Sequence, residues 1–208
     1  DPPYRLTSGG KPEDTGDHRP MRGGWMKDYS NDGSVIKCDL KFSDWLPQAY
    51  KVLKSDADIY VMANDKNMRD LLNAMVEAGF GIHNILVWDK RTATANRWYM
   101  KNCEFTVYGW KGKAKTVNFP SAKQLIYVPQ RDETKHPTEK PVSLFQHYIE
   151  NSTQPREWVF DPFMGSGTTG VACESSGRNF IGAELDKKWF DVAVERMATA
   201  NGQVRLWS

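Results

Sequence analysis

Cysteine is scarce in this chain. Only Cys38, Cys103 and Cys173 occur, odd in number and widely spaced, with no CxxC pair. That argues against a disulfide framework and against a zinc site, so no metal is expected and a reducing cytoplasm is the natural home. Long apolar runs are missing too. No stretch of eighteen such residues occurs, so no membrane span is expected. The opening residues are polar and rich in Pro and Gly, unlike a signal peptide. No initiating Met precedes Asp1, and a native strand ahead of it is expected. Internal repeats are absent.

Net charge is also nearly absent, at +2 over 208 residues, a length that suits one domain. Its distribution is uneven. From Lys90 to Lys123 there are eight Lys or Arg (90, 91, 97, 101, 111, 113, 115, 123) against one acid, Glu104. That window carries +7 and leaves −5 for the rest. Charge alone favours a solvated face. A local basic surface on a near-neutral body also suits a polyanion.

The pattern along the chain alternates strands with helices. Residues 5–41 are polar, with many Gly and Asp, and read as a long mobile loop. Phe42 to Leu53 predicts a helix interrupted or opened near Pro47. Asp58–Ala63 predicts a buried strand. Asn64 or Asp65 can cap a helix whose apolar face is Met68, Leu71, Leu72, Met75 and Val76. Further strands are expected at Ile82–Trp88, Glu104–Trp110 and Gln124–Val128, then a helix over Val142–Ile149 started by Pro141. A strand over Trp158–Phe163, a helix over Thr168–Ser176, a strand over Asn179–Leu185 and a helix over Lys187–Ala200 follow. A last short strand is expected at Val204–Trp207. This is the order of a doubly wound α/β sheet.

The strongest signal is Phe160-Asp-Pro-Phe-Met-Gly-Ser-Gly-Thr-Thr169. A strand ends, the chain turns through glycines, and a helix begins. Glycine permits unusual dihedrals and a close ligand approach, and the helix start offers free N–H groups. A phosphate-cradling loop would need Lys after Gly167, where Thr168 stands. Gly165, Gly167 and Gly170 match GxGxxG formally, which alone is weak. Glu184 follows Gly165 by nineteen positions, where a carboxylate would reach ribose hydroxyls. Asp161 could accept from a ligand's ammonium group. Two acids and no Lys fit a nucleoside with a cationic, amino-acid-like end better than a pyrophosphate. A purely structural strand–turn–helix corner is the plain alternative.

These residues resemble the cofactor motif of the DNA amino-methyltransferases. His136-Pro-Thr-Glu-Lys-Pro-Val142 looks like their companion cofactor motif, and Asp1-Pro-Pro-Tyr4 like their catalytic tetrapeptide. The catalytic motif comes first, an order similar to the permuted beta group. The resemblance runs from Asp1 to about Met197. It implies a Rossmann-like methyltransferase fold, a seven-stranded mixed sheet with Glu104–Trp110 as its one antiparallel strand. It implies S-adenosyl-L-methionine as cofactor. The cofactor residues would be Asp161, Pro162, Phe163, Gly165, Ser166, Gly167, Thr168, Thr169, Glu184, Leu185 and Asp186, together with His136, Thr138, Lys140 and Pro141. His136 could equally be structural, and Pro141 could simply open a helix.

The tetrapeptide suits that chemistry. An exocyclic amine is a poor nucleophile because its lone pair is delocalised into the ring. Asp1 can accept one N–H and the Pro2 carbonyl the other, which favours a tetrahedral nitrogen and stabilises its developing charge. Pro2 and Pro3 hold that carbonyl rigidly, and Tyr4 can stack on an extruded base. Transfer then depends on positioning. Ring-carbon methylation would need a Cys after a Pro, and no such pair occurs.

The expected partner is double-stranded DNA, with Lys90, Arg91, Arg97, Lys111, Lys113 and Lys115 as phosphate contacts. Residues 112–135 are short for a target-recognition insert: either the target is a short sequence, or a homodimer partner helps, or selectivity is low. Cytosine N4 is the alternative target, although DPPY, unlike SPPY, tilts toward adenine N6. RNA or protein-glutamine methylation would favour NPPY after the glycine motif. A subunit that binds cofactor and DNA without turnover is a further alternative, against which the intact acids argue.

Overall fold

A computed structural model describes residues 1–3, 40–94, 99–129 and 139–205. The expected loop over 5–41 therefore lies almost wholly outside the described residues, as do Tyr4, Arg97, His136 and Thr138.

Two short sheets carry the fold. β1 (Ala57–Ala63), β2 (Gly81–Thr94), β3 (Lys101–Lys111) and β4 (Leu125–Tyr127) pair in the order β1-β3-β2-β4. β3 runs antiparallel to both its neighbours, and β2 runs parallel to β4. β5 (Trp158–Asp161) and β6 (Asn179–Gly182) form a separate parallel pair. The antiparallel strand is where the sequence puts it. The seven-stranded sheet is not found: the described residues make a four-stranded mixed sheet and a two-stranded one. β5 and β6 are four residues each and, among the described residues, pair only with one another.

Five helices cover these strands: α1 (Phe42–Val52), α2 (Met68–Glu77), α3 (Val142–Ser152), α4 (Thr168–Ser176) and α5 (Lys187–Arg205). The period-two alternation of β1 divides its side chains between two cores. Val61 and Ala63 join Phe42, Leu46, Leu71, Met75 and Val107 under α1 and α2. Met62 faces the other way, onto Trp88, Ile126, Leu144 and Tyr148 under α3. A third cluster, Ile149, Ala172 and Cys173, joins α3 to α4 and so ties the second sheet to the first.

Two element boundaries depart from expectation. α1 runs unbroken through Pro47, because a proline there costs only the bond to Ser43 while Leu46 and Phe42 stay packed. No strand forms at Val204: α5 continues to Arg205. Extending an existing helix gains a backbone bond per residue without a new nucleus, and an unpaired strand end would gain none.

The parallel strands β1, β2 and β4 all end at one edge of the main sheet. β3 starts there, so Glu104 lies at that edge, opposite Trp88. Lys111 closes β3 beside Ala57 at the other edge, roughly 24 Å away at a strand rise of about 3.4 Å per residue.

Candidate functional site: the acid, the glycine turn and the link between them

The glycine turn is built by β5, α4 and α5 together. Gly165 (φ +52) and Gly167 (φ +84) both take left-handed backbone that other residues rarely adopt, but for different purposes. A Cβ at Gly167 would lie 2.8 Å from the Cβ of Ala193, and one at Gly170 would strike Met197. These two glycines let α5 press on the turn. A Cβ at Gly165 would meet nothing within 4 Å. That face is open, and a ligand can approach its backbone.

Both expected acids stand at the turn. The Asp161 carboxylate is buried. It accepts the Phe163 N–H at 2.9 Å and the Thr169 hydroxyl at 2.5 Å, which braces the corner. Glu184 accepts the Gly165 N–H at 3.0 Å and the Asp186 N–H at 2.9 Å. Each oxygen keeps a second lone pair for a hydroxyl donor. Asp186 takes the Lys188 N–H at 2.8 Å and so opens α5, while Leu185 is fully exposed. Pro162 and Phe163 are half-buried, and Trp45 of α1 packs edge-on against Phe163. Ser166, Thr168 and Thr169 are buried.

The link to Asp1 runs through two consecutive residues. Lys140 is only 8 % exposed, and its ammonium lies 2.9 Å from the Asp1 carboxylate. Next to it, Glu139 accepts a hydrogen bond from the Ser166 hydroxyl at 3.3 Å. Arg196 of α5 completes the clamp. It donates to the Ser166 carbonyl at 2.6 Å, the Ser166 hydroxyl at 2.8 Å and Glu139 at 2.7 Å. Pro141 follows as N-cap of α3, its own φ of −61° set by the ring. Pro2 is buried and Pro3 exposed. Asp1 and the late glycine turn are therefore joined through two adjacent residues, Lys140 and Glu139.

Lys140 has a second acid. Glu104 Oε2 lies 3.4 Å from the same ammonium, and the other Glu104 oxygen pairs with Lys90. Burial alone would push the Glu104 carboxyl up. The Lys140 and Lys90 charges outweigh it and hold the carboxyl below its ordinary range. Glu104, Arg196 and Trp45 carry no motif, while Glu139 lies inside the 136–142 motif without being singled out by it. Only Glu104 has a sequence signal, as the lone acid in the basic window.

The basic residues do not form one surface. Lys90 is turned inward on Glu104. Arg91 is 63 % exposed at the Asp1 edge and stacks over Tyr127 at 4.3 Å. Lys111 is at the opposite edge, where it donates to the Tyr50 and Leu53 carbonyls at 2.6 and 2.7 Å and caps α1. Lys113 and Lys115 are exposed beyond it. The chain after them is stapled to the end of α3 remote from Lys140: Asn118 donates to the Glu150 and Thr153 carbonyls at 2.7 and 2.9 Å. It then returns through β4 to the Asp1 edge, where Trp88 donates to the Val128 carbonyl at 2.7 Å. Among the described residues no group of His, Cys, Asp and Glu could hold a metal, and no helix is long and apolar enough to cross a membrane.

A family model described as DNA methylase matches residues 1–195. The Type II methyltransferase M2.DpnII of Streptococcus pneumoniae is 29 % identical over 97 % of this chain and 81 % of its own length. M2.LlaDCHI of Lactococcus lactis subsp. cremoris, also a Type II methyltransferase, is 30 % identical over 95 % of this chain and 80 % of its own. Among solved structures, the M1.HpyAVI–SAM complex superposes with a TM-score of 0.68 at 31 % identity, covering 76 % of this chain and 84 % of that one. The cytosine-N4-specific PvuII DNA methyltransferase superposes at 0.64 with 19 % identity, over 78 % and 76 %. That last likeness is one of fold alone.

Proposed function

We propose, from the premise that the chain belongs to the N6-adenine/N4-cytosine DNA methylase family, that it methylates the exocyclic N6 of adenine in double-stranded DNA. One observation carries this reading. Lys140 holds Asp1 at 2.9 Å while its neighbour Glu139 holds the glycine turn through Ser166. An acceptor for an amine and the open glycine turn are thereby joined in one site.

S-adenosylmethionine, the cofactor of this family, brings a methyl group activated on a sulfonium. The residues present fit it. Gly165 leaves its face open, and Glu184 presents a carboxylate beside that glycine for ribose hydroxyls. Asp161 adds negative potential under the turn for the amino-acid end. The target amine, on a base swung out of the stack, gives one N–H to Asp1 and the other to the Pro2 carbonyl. Both acceptors act where positive charge grows on the nitrogen. Lys140 holds the Asp1 carboxylate in one orientation. Arg91, exposed at the Asp1 edge, is the basic side chain placed to meet a phosphate there.

The DPPY tetrapeptide supports adenine over cytosine N4. As a Type II modification enzyme, the protein would act on chromosomal DNA in a bacterial cytoplasm. The test is to incubate it with DNA and cofactor, digest to nucleosides and weigh them. N6-methyladenine is expected. N4-methylcytosine would replace the adenine assignment, and cofactor binding without either product would show a non-catalytic subunit.

A further inference from the structure

Glu104 has no part in the mechanism just given, yet its place is constrained. It heads the column Tyr108, Thr106, Glu104 on the α3-facing side of β3, at the edge where Asp1 lies. Its side chain is 16 % exposed and sits between two ammonium groups. Oε2 is buried and faces the Lys140 ammonium at 3.4 Å. The charges around Asp1 come from four elements: Lys90 of β2, Glu104 of β3, Lys140 ahead of α3, and Asp161 of β5, whose charge reaches the Asp1 backbone.

A buried ammonium with one carboxylate partner binds it tightly. With two it is shared, because each acid weakens the pull on the other. Asp1 must accept an N–H from a poor nucleophile, and an acceptor fully neutralised by a cation does that badly.

We propose that Glu104 is a positioning residue for the transfer reaction: by sharing the Lys140 ammonium it limits how strongly that charge draws on Asp1, and so keeps the Asp1 carboxylate available to the target amine. This rests on the transfer function proposed above. It acts through Lys140, so the two residues are coupled.

The test follows the titration of the Asp1 carboxyl by carbon NMR and, separately, the single-turnover rate of methyl transfer. E104Q removes one negative charge of the cluster and lowers the Asp1 pKa, by on the order of one unit. K140M and K90M each remove a positive charge and raise it. The transfer rate of E104Q falls about ten-fold or more, a loss of roughly 1.4 kcal/mol in transition-state stabilisation. Cofactor Kd stays within about two-fold of wild type. E104D recovers part of the rate, and E104Q adds no loss in the K140M background. An Asp1 titration unmoved in both E104Q and K90M would overturn the proposal; K90M decides if E104Q does not fold. A wild-type protein that methylates no DNA would instead overturn the functional reading, while the titration still decides the role of Glu104.

Discussion

Arg196 holds Ser166 at two atoms, the carbonyl at 2.6 Å and the hydroxyl at 2.8 Å, from thirty residues away. The contact makes α5 a strut for the glycine turn. Its third bond, to Glu139, extends the strut to the segment that carries Lys140.

Arg196→Met is therefore expected to weaken cofactor binding by roughly ten-fold or more, with a stability loss of about 2–4 kcal/mol, since Glu139 is left as a buried acid without its cation. Calorimetric titration and urea melts measure the two. Unchanged cofactor affinity would mean that the turn keeps its shape without α5.

The two glycines of the turn should fail differently. Gly167→Ala meets both a left-handed φ and the Ala193 backbone, and should cost at least ~2 kcal/mol of stability. Gly165→Ala pays only the dihedral, about 1 kcal/mol, because its Cβ has open space. Its larger effect should be on cofactor affinity. Equal melting temperatures for the two variants would refute this division.

Asp1→Ala should abolish detectable transfer, by about 100-fold or more, while cofactor binding survives. Asp1 is held by Lys140, whereas the glycine turn is held by Glu139 and Arg196. Full activity in this variant would remove the tetrapeptide from the mechanism.

DNA affinity should follow the edge on which each cation lies. Arg91→Ala should weaken binding and lower the salt slope by about one. Lys113→Ala and Lys115→Ala should change neither. The comparison is of binding isotherms at several salt concentrations; a reversed order would place the DNA on the opposite edge.

Acid should expose the Glu104 pair. Its carboxyl is held below the ordinary range in the folded state, so its contribution is complete above the unfolded value of about 4.3. It is lost as pH falls through the lower, folded value. The stability gap between wild type and Glu104→Gln should thus be wide at pH 7 and shrink below about pH 4. Urea melts at both pH values report it, and a gap that widens on acidification would contradict the assignment.

Much of this fold and site is legible in the order of the amino acids alone. α4 spans Thr168–Ser176 as the glycine punctuation predicts, because local dihedral demands and a helix start are written in adjacent residues. Lone charges are not legible. Lys111 reads as a DNA contact in a basic window, yet the fold brings the α1 carbonyls to it. Arg196 reads as an ordinary helix cation, and only the crossing of α5 over the turn gives it Ser166. The sheet split is equally hidden, since strand propensity does not say which edges pair.

Glu139 and Lys140 are separated by a single peptide unit, and each holds a different part of the site: Lys140 the Asp1 carboxylate, Glu139 the glycine turn through Ser166. Inserting one residue there would swing the two side chains apart, and one deletion would dislodge both. Length at this junction is fixed to the residue, whereas the exposed stretch from Lys113 to Thr116, at the rim remote from Asp1, should tolerate lengthening, tagging or fusion without disturbing either contact.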